Sequence, residues 1–305
     1  MYTIKEASAR TGVGAPLIRA WERRYGVVRP TRTLAGYRLY DDATIRVLQA
    51  MRSLVDAGWT ASEAARAIGA GEVAIEDVAV GLTPSLPRPP APSTTSTRRD
   101  RLIDRFVAAA EAASAADTEA ALDEILASGS FEAVVDDVLL PAAAALGDSW
   151  SAGRLSVAAE HAASAAVARR LAAVFQAAGA PTRAAAVVGL PPGSRHELGA
   201  LAFATALRRR GVGVLYLGSD VTVHGWVDVV SRLRARAAIV GVVMPDDRAA
   251  ALEVVTALRD LGVPIIAVGG VAAGADLAPG HEILVLPGPV VEAAEVVARS
   301  LGRRG

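Results

Sequence analysis

The strongest constraint on how this chain can fold lies in residues 183–305. Five short, almost wholly apolar runs recur there: AAAVVGL (184–190), GVLYLG (213–218), AAIVGVVM (237–244), PIIAVGG (264–270) and EILVLPG (282–288). A strand with one wet face alternates apolar and polar residues, so a run that is apolar throughout must be covered on both faces. Between the runs, ELGALAFATALRRRG (197–211), VHGWVDVVSRLRA (223–235) and RAAALEVVTALRDLG (248–262) place apolar residues at three- and four-residue steps. Fully apolar strands separated by helices predict a Rossmann-like parallel sheet over 181–305, with ligands bound at the carboxyl ends of the strands.

The rest of the 305 residues divides into three further parts. Residues 101–180 contain RLIDRFVAAAEAA, TEAALDEILA, FEAVVDDVLLPAAAALGDSW and LSVAAEHAASAAVARRLAAVFQAAG. Their helical period and short connections predict a four-helix antiparallel bundle. Residues 81–100, GLTPSLPRPPAPSTTSTRRD, are rich in Pro, Ser and Thr and nearly free of large apolar side chains, the composition of an extended linker. Residues 1–80 predict a winged helix-turn-helix. IKEASART is a first helix ended by Gly12 and Gly14, and a second helix over about 15–25 has Pro16 in its first turn. VVRPTRTLAGYRLYDD is a two-stranded wing, and ATIRVLQAMRSLVDAG and TASEAARAIGAG are two more helices, the last capped by Thr60.

Acidic and basic residues balance at 32 each, but not along the chain. Residues 1–60 hold ten Lys or Arg against five Asp or Glu, and the remainder holds 22 against 27. A basic head on an acidic body points to a nucleic-acid module at the N-terminus. The absence of cysteine excludes disulfides, thiolate metal sites and cysteine nucleophiles. No apolar run has the length of a membrane span and the N-terminus lacks a signal-peptide pattern, which suits a cytoplasmic protein.

The stretch RAWERRYGVVRPTRTLAGYRLYDD closely resembles the MerR family of transcription regulators over residues 2–70, in Thr11-Gly12, Arg19, Trp21-Glu22-Arg23-Arg24-Tyr25-Gly26, Pro30 and Gly36-Tyr37-Arg38-Leu39-Tyr40. Arg19, Arg23 and Arg24 on the second helix suit entry into a major groove, with Tyr37 and Arg38 of the wing beside the neighbouring backbone of operator DNA. Trp21 suits the core of the head. The long dimerising helix that typically follows in this family is missing, because AGEVAIEDVAV runs into the linker. Assembly into a homo-oligomer, possibly a tetramer, is therefore expected of the body.

SRHELGALAFATALRRRGVGVLYLG resembles the cobalamin-binding Rossmann module, whose signature is DxHxxG between the first strand and the first helix. The resemblance makes His196 the lower axial ligand of cobalt, with Gly199, Gly241, Gly269 and Gly270 along the slot for the nucleotide tail. Two positions depart: Ser194 replaces the acid before the histidine, and Gly241 begins Gly241-Val242-Val243 in place of Ser-x-Leu. Trp150, nine residues, then Glu160-His161 has the spacing found in the bundle of CarH-type light-dependent regulators. By that resemblance Trp150 packs against the adenosyl group of adenosylcobalamin, with Glu160 and His161 close by. Ser151 stands where some light sensors have a second cobalt-binding histidine. Among the other polar groups, His224, Ser219 and Asp220 are candidates for the pocket or ligand edge, and His281 for the surface.

The chain is thus expected to be a cobalamin-dependent, light-responsive repressor and not an enzyme. Ser194 and Gly241 leave open a regulator that senses a different tetrapyrrole or a small apolar effector. A cobalamin enzyme or methyl carrier is the third class, and the head argues against it.

Overall fold

A computed structural model describes residues 1–33, 37–56, 59, 61–71, 73, 75, 97–179, 184–277 and 283–303. Thr60, the wing-tip Gly36, His281 and most of the expected linker lie outside the described residues. The chain forms two compact units, Met1–Ser114 with Ala144–His161, and Ala115–Ala143 with Ala162–Gly305. Among the described residues no helix is long and apolar enough to cross a membrane.

The first unit opens with the winged helix-turn-helix. Helix α1 (Ile4–Thr11) starts in a capping box between Thr3 and Glu6 and ends at Gly12, whose left-handed φ of 67° lets the chain reverse. Helix α2 (Ala15–Tyr25) has Pro16 in its first turn and ends in the same way at Gly26. Strands β2 (Thr31–Arg32) and β3 (Arg38–Tyr40) are the antiparallel wing. A third strand, β1 (Tyr2–Thr3), pairs with the other edge of β3. Two residues are too few to show alternation, which is why the sequence concealed it. Helices α3 (Asp42–Asp56) and α4 (Ala61–Gly69) complete a core around Ile18, Trp21, Tyr40, Leu48, Met51 and Leu54. Helix α5 (Arg98–Glu111) begins a little before the expected end of the linker, because Thr97 and Asp100 form a second capping box.

The helical region continues with α6 (Ala115–Ala127), α7 (Phe131–Val134), α8 (Leu140–Ser151) and α9 (Val157–Ala177). Residues 131–150 were expected to be one helix. Instead α7 and α8 are joined by a π-helical turn, Val135–Leu139. Pro141 has no N–H and its ring crowds the carbonyl four residues back, and a widened turn relieves both problems.

The second unit contains the predicted sheet. Strands β4 (Ala186–Gly189), β5 (Val214–Tyr216), β6 (Ala237–Gly241), β7 (Ile265–Gly269) and β8 (Ile283–Val285) are all parallel, in the order β5-β4-β6-β7-β8. Helices α10 (Leu198–Arg209), α11 (Val223–Leu233) and α12 (Asp247–Asp260) fill the crossovers. Strand β4 is buried at every position, as its composition required. A final helix, α13 (Val290–Arg303), was not anticipated, although Val290, Ala293, Ala294, Val297 and Leu301 have helical spacing and are buried. It packs against α10 and the π turn. The π turn supplies its cap: Asp136 accepts from the backbone N–H groups of Val290 (2.8 Å) and Val291 (3.0 Å).

Asp136→Ala strips that cap and should cost about 1–2 kcal/mol, seen as a lower urea midpoint. Asp136→Asn keeps an acceptor oxygen and should lose less.

Candidate functional site

On α2, Arg19 and Arg23 lie one turn apart and are exposed. Trp21 and Tyr25 are offset from them by two positions, roughly 200° around the helix, so they occupy the opposite face. The head therefore presents arginines outward while burying its aromatic side. The side chain of Arg24 lies outside the described residues. Tyr37 is 73% exposed beside the wing tip. Arg38 is already engaged: its Nε donates to both carboxylate oxygens of Glu22, at 3.0 and 2.9 Å, and so braces the wing against α2.

Trp21 does more than fill the core. Its indole N–H donates to the backbone carbonyl of Ser151 at 3.1 Å, and the Tyr25 hydroxyl lies 3.4 Å from Ser151 Oγ. Ser151 is the last residue of α8 and follows Trp150, so the aromatic face of α2 is anchored to the segment that carries that tryptophan. The segment is itself held by hydrogen bonds. After Ser151 the chain turns at Gly153 (φ 76°), and Ser156 Oγ accepts from the Ala159 N–H to start α9. Glu111 of α5 accepts from Ser149 Oγ and from Arg154 Nε. Burial raises the proton affinity of Glu111, but the hydrogen bonds from Ser149 and Arg154 outweigh it and hold the carboxyl below its ordinary range.

Trp150 and Glu160 are half-buried, and His161 is exposed. The structure brings Glu160 and His161 onto each other, with His161 Nδ1 2.8 Å from Glu160 Oε2. A side-chain partnership between sequence neighbours leaves no periodic signal, so the sequence did not reveal it.

In the second unit the sheet order reverses direction between β4 and β6. The carboxyl ends at such a switch point open a crevice, the usual ligand position in a doubly wound sheet. His196 lies in the loop after β4 and is exposed there. Its loop is tied down on several sides. Ser194 N–H donates to the Pro191 carbonyl (3.2 Å), and the Ser194 carbonyl accepts from the Asp220 N–H (2.9 Å). Asp220, held at φ 54°, also accepts from the Gly193 N–H at 2.7 Å. Asp220 thus serves the loop. Just past His196, Glu197 Oε2 accepts from the Tyr216 hydroxyl at 3.1 Å; burial pushes that hydroxyl's pKa far up, and the Glu197 carboxylate adds to the rise.

Ser194 is 1% exposed, and its hydroxyl donates to the buried carboxylate of Asp247 at 3.0 Å. Asp247 was missed in the sequence; an aspartate opening a helix reads as an ordinary cap. Its neighbour Arg248 reaches the Ala272 carbonyl and the Asp276 carboxylate, fixing the loop after β7. His224 is exposed in the first turn of α11, and Ser219 is half-buried.

Glycines end the three central strands. Gly189 closes β4, and Gly241 of β6 is in register with Gly269 of β7. A Cβ on Gly270 would come within 2.4 Å of the Val242 carbonyl oxygen, so the close approach of these backbones needs glycine there. At Gly241 an added Cβ would make ordinary contacts with Leu190 and Ala200, so the edge is narrow and apolar. Gly199 faces open space. A lone imidazole cannot hold a metal by itself, but it can complete the coordination of one that arrives with its equatorial ligands in place. An exposed histidine over a glycine-lined, apolar edge therefore fits a corrinoid.

Parts of the chain resemble known families and proteins. Residues 2–70 match the MerR HTH family regulatory protein domain, and residues 98–174, which carry Trp150, Glu160 and His161, match the B12 binding domain. The chain is 36% identical over 233 residues to the HTH-type transcriptional repressor CarH of Myxococcus xanthus, covering 76% of each chain. It is 31% identical over 283 residues to the HTH-type transcriptional repressor CarA of the same organism, covering 88% of this chain and 86% of that one. Among solved structures, the monomethylamine corrinoid protein of Methanosarcina barkeri has a similar fold, with a TM-score of 0.52 and 17% identity over 66% of this chain and 99% of that one.

Trp21→Phe keeps the aromatic packing but leaves the buried Ser151 carbonyl without its indole donor. We expect a loss of about 1–3 kcal/mol in chemical denaturation, with the far-ultraviolet circular dichroism unchanged.

Proposed function

Because the chain belongs to the family of HTH-type transcriptional repressors that includes CarH and CarA, we propose that it represses transcription under the control of bound adenosylcobalamin and of light. It is a DNA-binding regulator of MerR type with a B12 binding domain, and not an enzyme. The observation that carries the finer proposal is the exposed His196 in a tightly anchored loop at the switch point of the sheet.

Bound adenosylcobalamin supplies a cobalt–carbon bond that visible light can break. The chain's own residues take the remaining roles. His196 would offer a ring nitrogen to the cobalt, and the glycine-ended strand edge at Gly241, Gly269 and Gly270 would lie along the tail. Trp150 would pack its indole against the adenosyl group, and Glu160, oriented by His161, would accept from its hydroxyls. Arg19 and Arg23 reach base edges and phosphates of operator DNA in the cytoplasm, Arg24 joins them, and Tyr37 and Arg38 support the wing. One head grips a half-site weakly, so heads held together on a homo-oligomer gain from an effective concentration in the mM range. Ser151 and Trp21 would couple a change in the packing of Trp150 to α2 and so to the assembly, and Ser151 has no imidazole to offer as a second cobalt ligand.

A second proposal is a regulator that senses another tetrapyrrole or a small apolar effector. It draws on Ser194, whose hydroxyl is committed to Asp247, and on the apolar lining at Gly241. Incubation with adenosylcobalamin in darkness, followed by desalting, separates the two. The first predicts a retained corrinoid spectrum and the second a colourless protein.

In size-exclusion chromatography the dark, loaded chain should elute as an oligomer and shift to a smaller species after green light. Trp150→Ala should weaken the dark oligomer while the head stays folded; an unchanged elution profile would count against the capping role. His196→Ala should lower retention or alter the spectrum; unchanged retention together with an unchanged spectrum would rule His196 out as the cobalt ligand.

A further inference from the structure

The position two residues before His196 holds a serine, but a carboxylate reaches it from elsewhere in the fold. Asp247 opens α12, directly after the loop that leaves β6, and β6 is the neighbour of β4. Asp247 Oδ2 accepts from Ser194 Oγ at 3.0 Å, from the Val243 N–H at 3.1 Å and from the Met244 N–H at 2.8 Å. Both ends of the serine bond are buried, at 1% and 6% exposure. The bond therefore ties the loop after β4 to the loop after β6, across the switch point itself.

We propose that Asp247 is the positioning residue for His196: acting through Ser194, it holds the lower-ligand loop so that the imidazole can stay on cobalt without an acid at position 194. This rests on the cobalamin proposal above. The geometry supports it in three ways. First, hydrogen bonds to a carboxylate are stronger than neutral ones, and burial keeps water from competing for them. Second, Ser194 is held at its N–H, its carbonyl and its hydroxyl, and of these three bonds only that of the hydroxyl reaches the helix that follows β6. Third, Tyr216 fixes Glu197 on the far side, so His196 is framed by two anchored residues while its own ring is exposed. Outer partners that orient a metal-binding histidine typically affect metal affinity about 10–100-fold, and Asp247 should fall in that range.

The test uses the full-length chain, labelled with nitrogen-15 at histidine and loaded with cob(II)alamin, and reads the electron paramagnetic resonance spectrum. A histidine nitrogen on cobalt gives a splitting that changes with the label, which a nitrogen from the nucleotide tail does not. Wild type should show the label-dependent splitting. Asp247→Ala should lose it, or show it in a much smaller fraction of molecules, and should retain the corrinoid about 10–100-fold less tightly. The exchange Ser194→Asp with Asp247→Ser keeps one carboxylate and one hydroxyl in the pair and should restore the signal. Label-dependent splitting at full wild-type intensity in Asp247→Ala would overturn the proposal. So would a folded, corrinoid-binding exchange variant without it, which decides the matter if Asp247→Ala fails to fold. Absence of corrinoid in wild type would remove the cobalamin proposal and this one together, whereas bound corrinoid without the label-dependent splitting would leave the cobalamin proposal standing and overturn this one.

Discussion

A buried carboxylate at the start of one helix holds the carboxyl edge of the sheet together. Asp247 takes the hydroxyl of Ser194 and two backbone N–H groups of its own loop. Arg248, the next residue, ties down the loop after β7 through the Ala272 carbonyl and Asp276. Adjacent side chains of opposite charge thus fix the loops on either side of the one after β6. In a parallel sheet those loops are where a ligand must be met, and each would otherwise have to be ordered at the expense of binding energy. A preorganised edge needs no such ordering before a ligand arrives.

The first unit shows the same economy in a different place. The segment from Ser149 to Ser156 is set by Glu111, by the Gly153 turn and by the Ser156 cap, with Trp150 in its midst. The indole of Trp21 grips the residue after Trp150, and the face of α2 that does so lies opposite Arg19 and Arg23. Anchoring the head in this way leaves its arginine face open. Under the proposed function, this gives a change at Trp150 a short covalent and hydrogen-bonded route to the helix that reads DNA. Cofactor state would then govern how the heads are held as well as how many are brought together.

Much of this was legible in the sequence because it rests on periodicity. Short apolar runs bounded by turn residues and separated by helices mark a sheet covered on both faces, and all five are in the sheet, although the edge strands β5 and β8 expose Leu215 and Val285. The head was equally clear, since Gly12, Gly26 and Pro16 sit where helix ends require them. What escaped notice was local or long-range chemistry. The two residues of β1 carry no pattern. The π turn answers to Pro141, whose effect on a helix shows only once the chain is folded. The anchors at Asp247, Asp136 and Trp21 join residues 53, 154 and 130 positions apart, and no short-range pattern encodes such pairs. The candidate site was found by residue type and spacing, but what holds it in place was visible only in three dimensions.

The most direct measurement is the crystal structure of the full-length chain grown with adenosylcobalamin in darkness. The account predicts density for a corrinoid at the carboxyl edge of the sheet, with a ring nitrogen of His196 bonded to cobalt and the indole of Trp150 against the adenosyl group. A corrinoid bound with His196 free, or a ligand without cobalt at that edge, would contradict it.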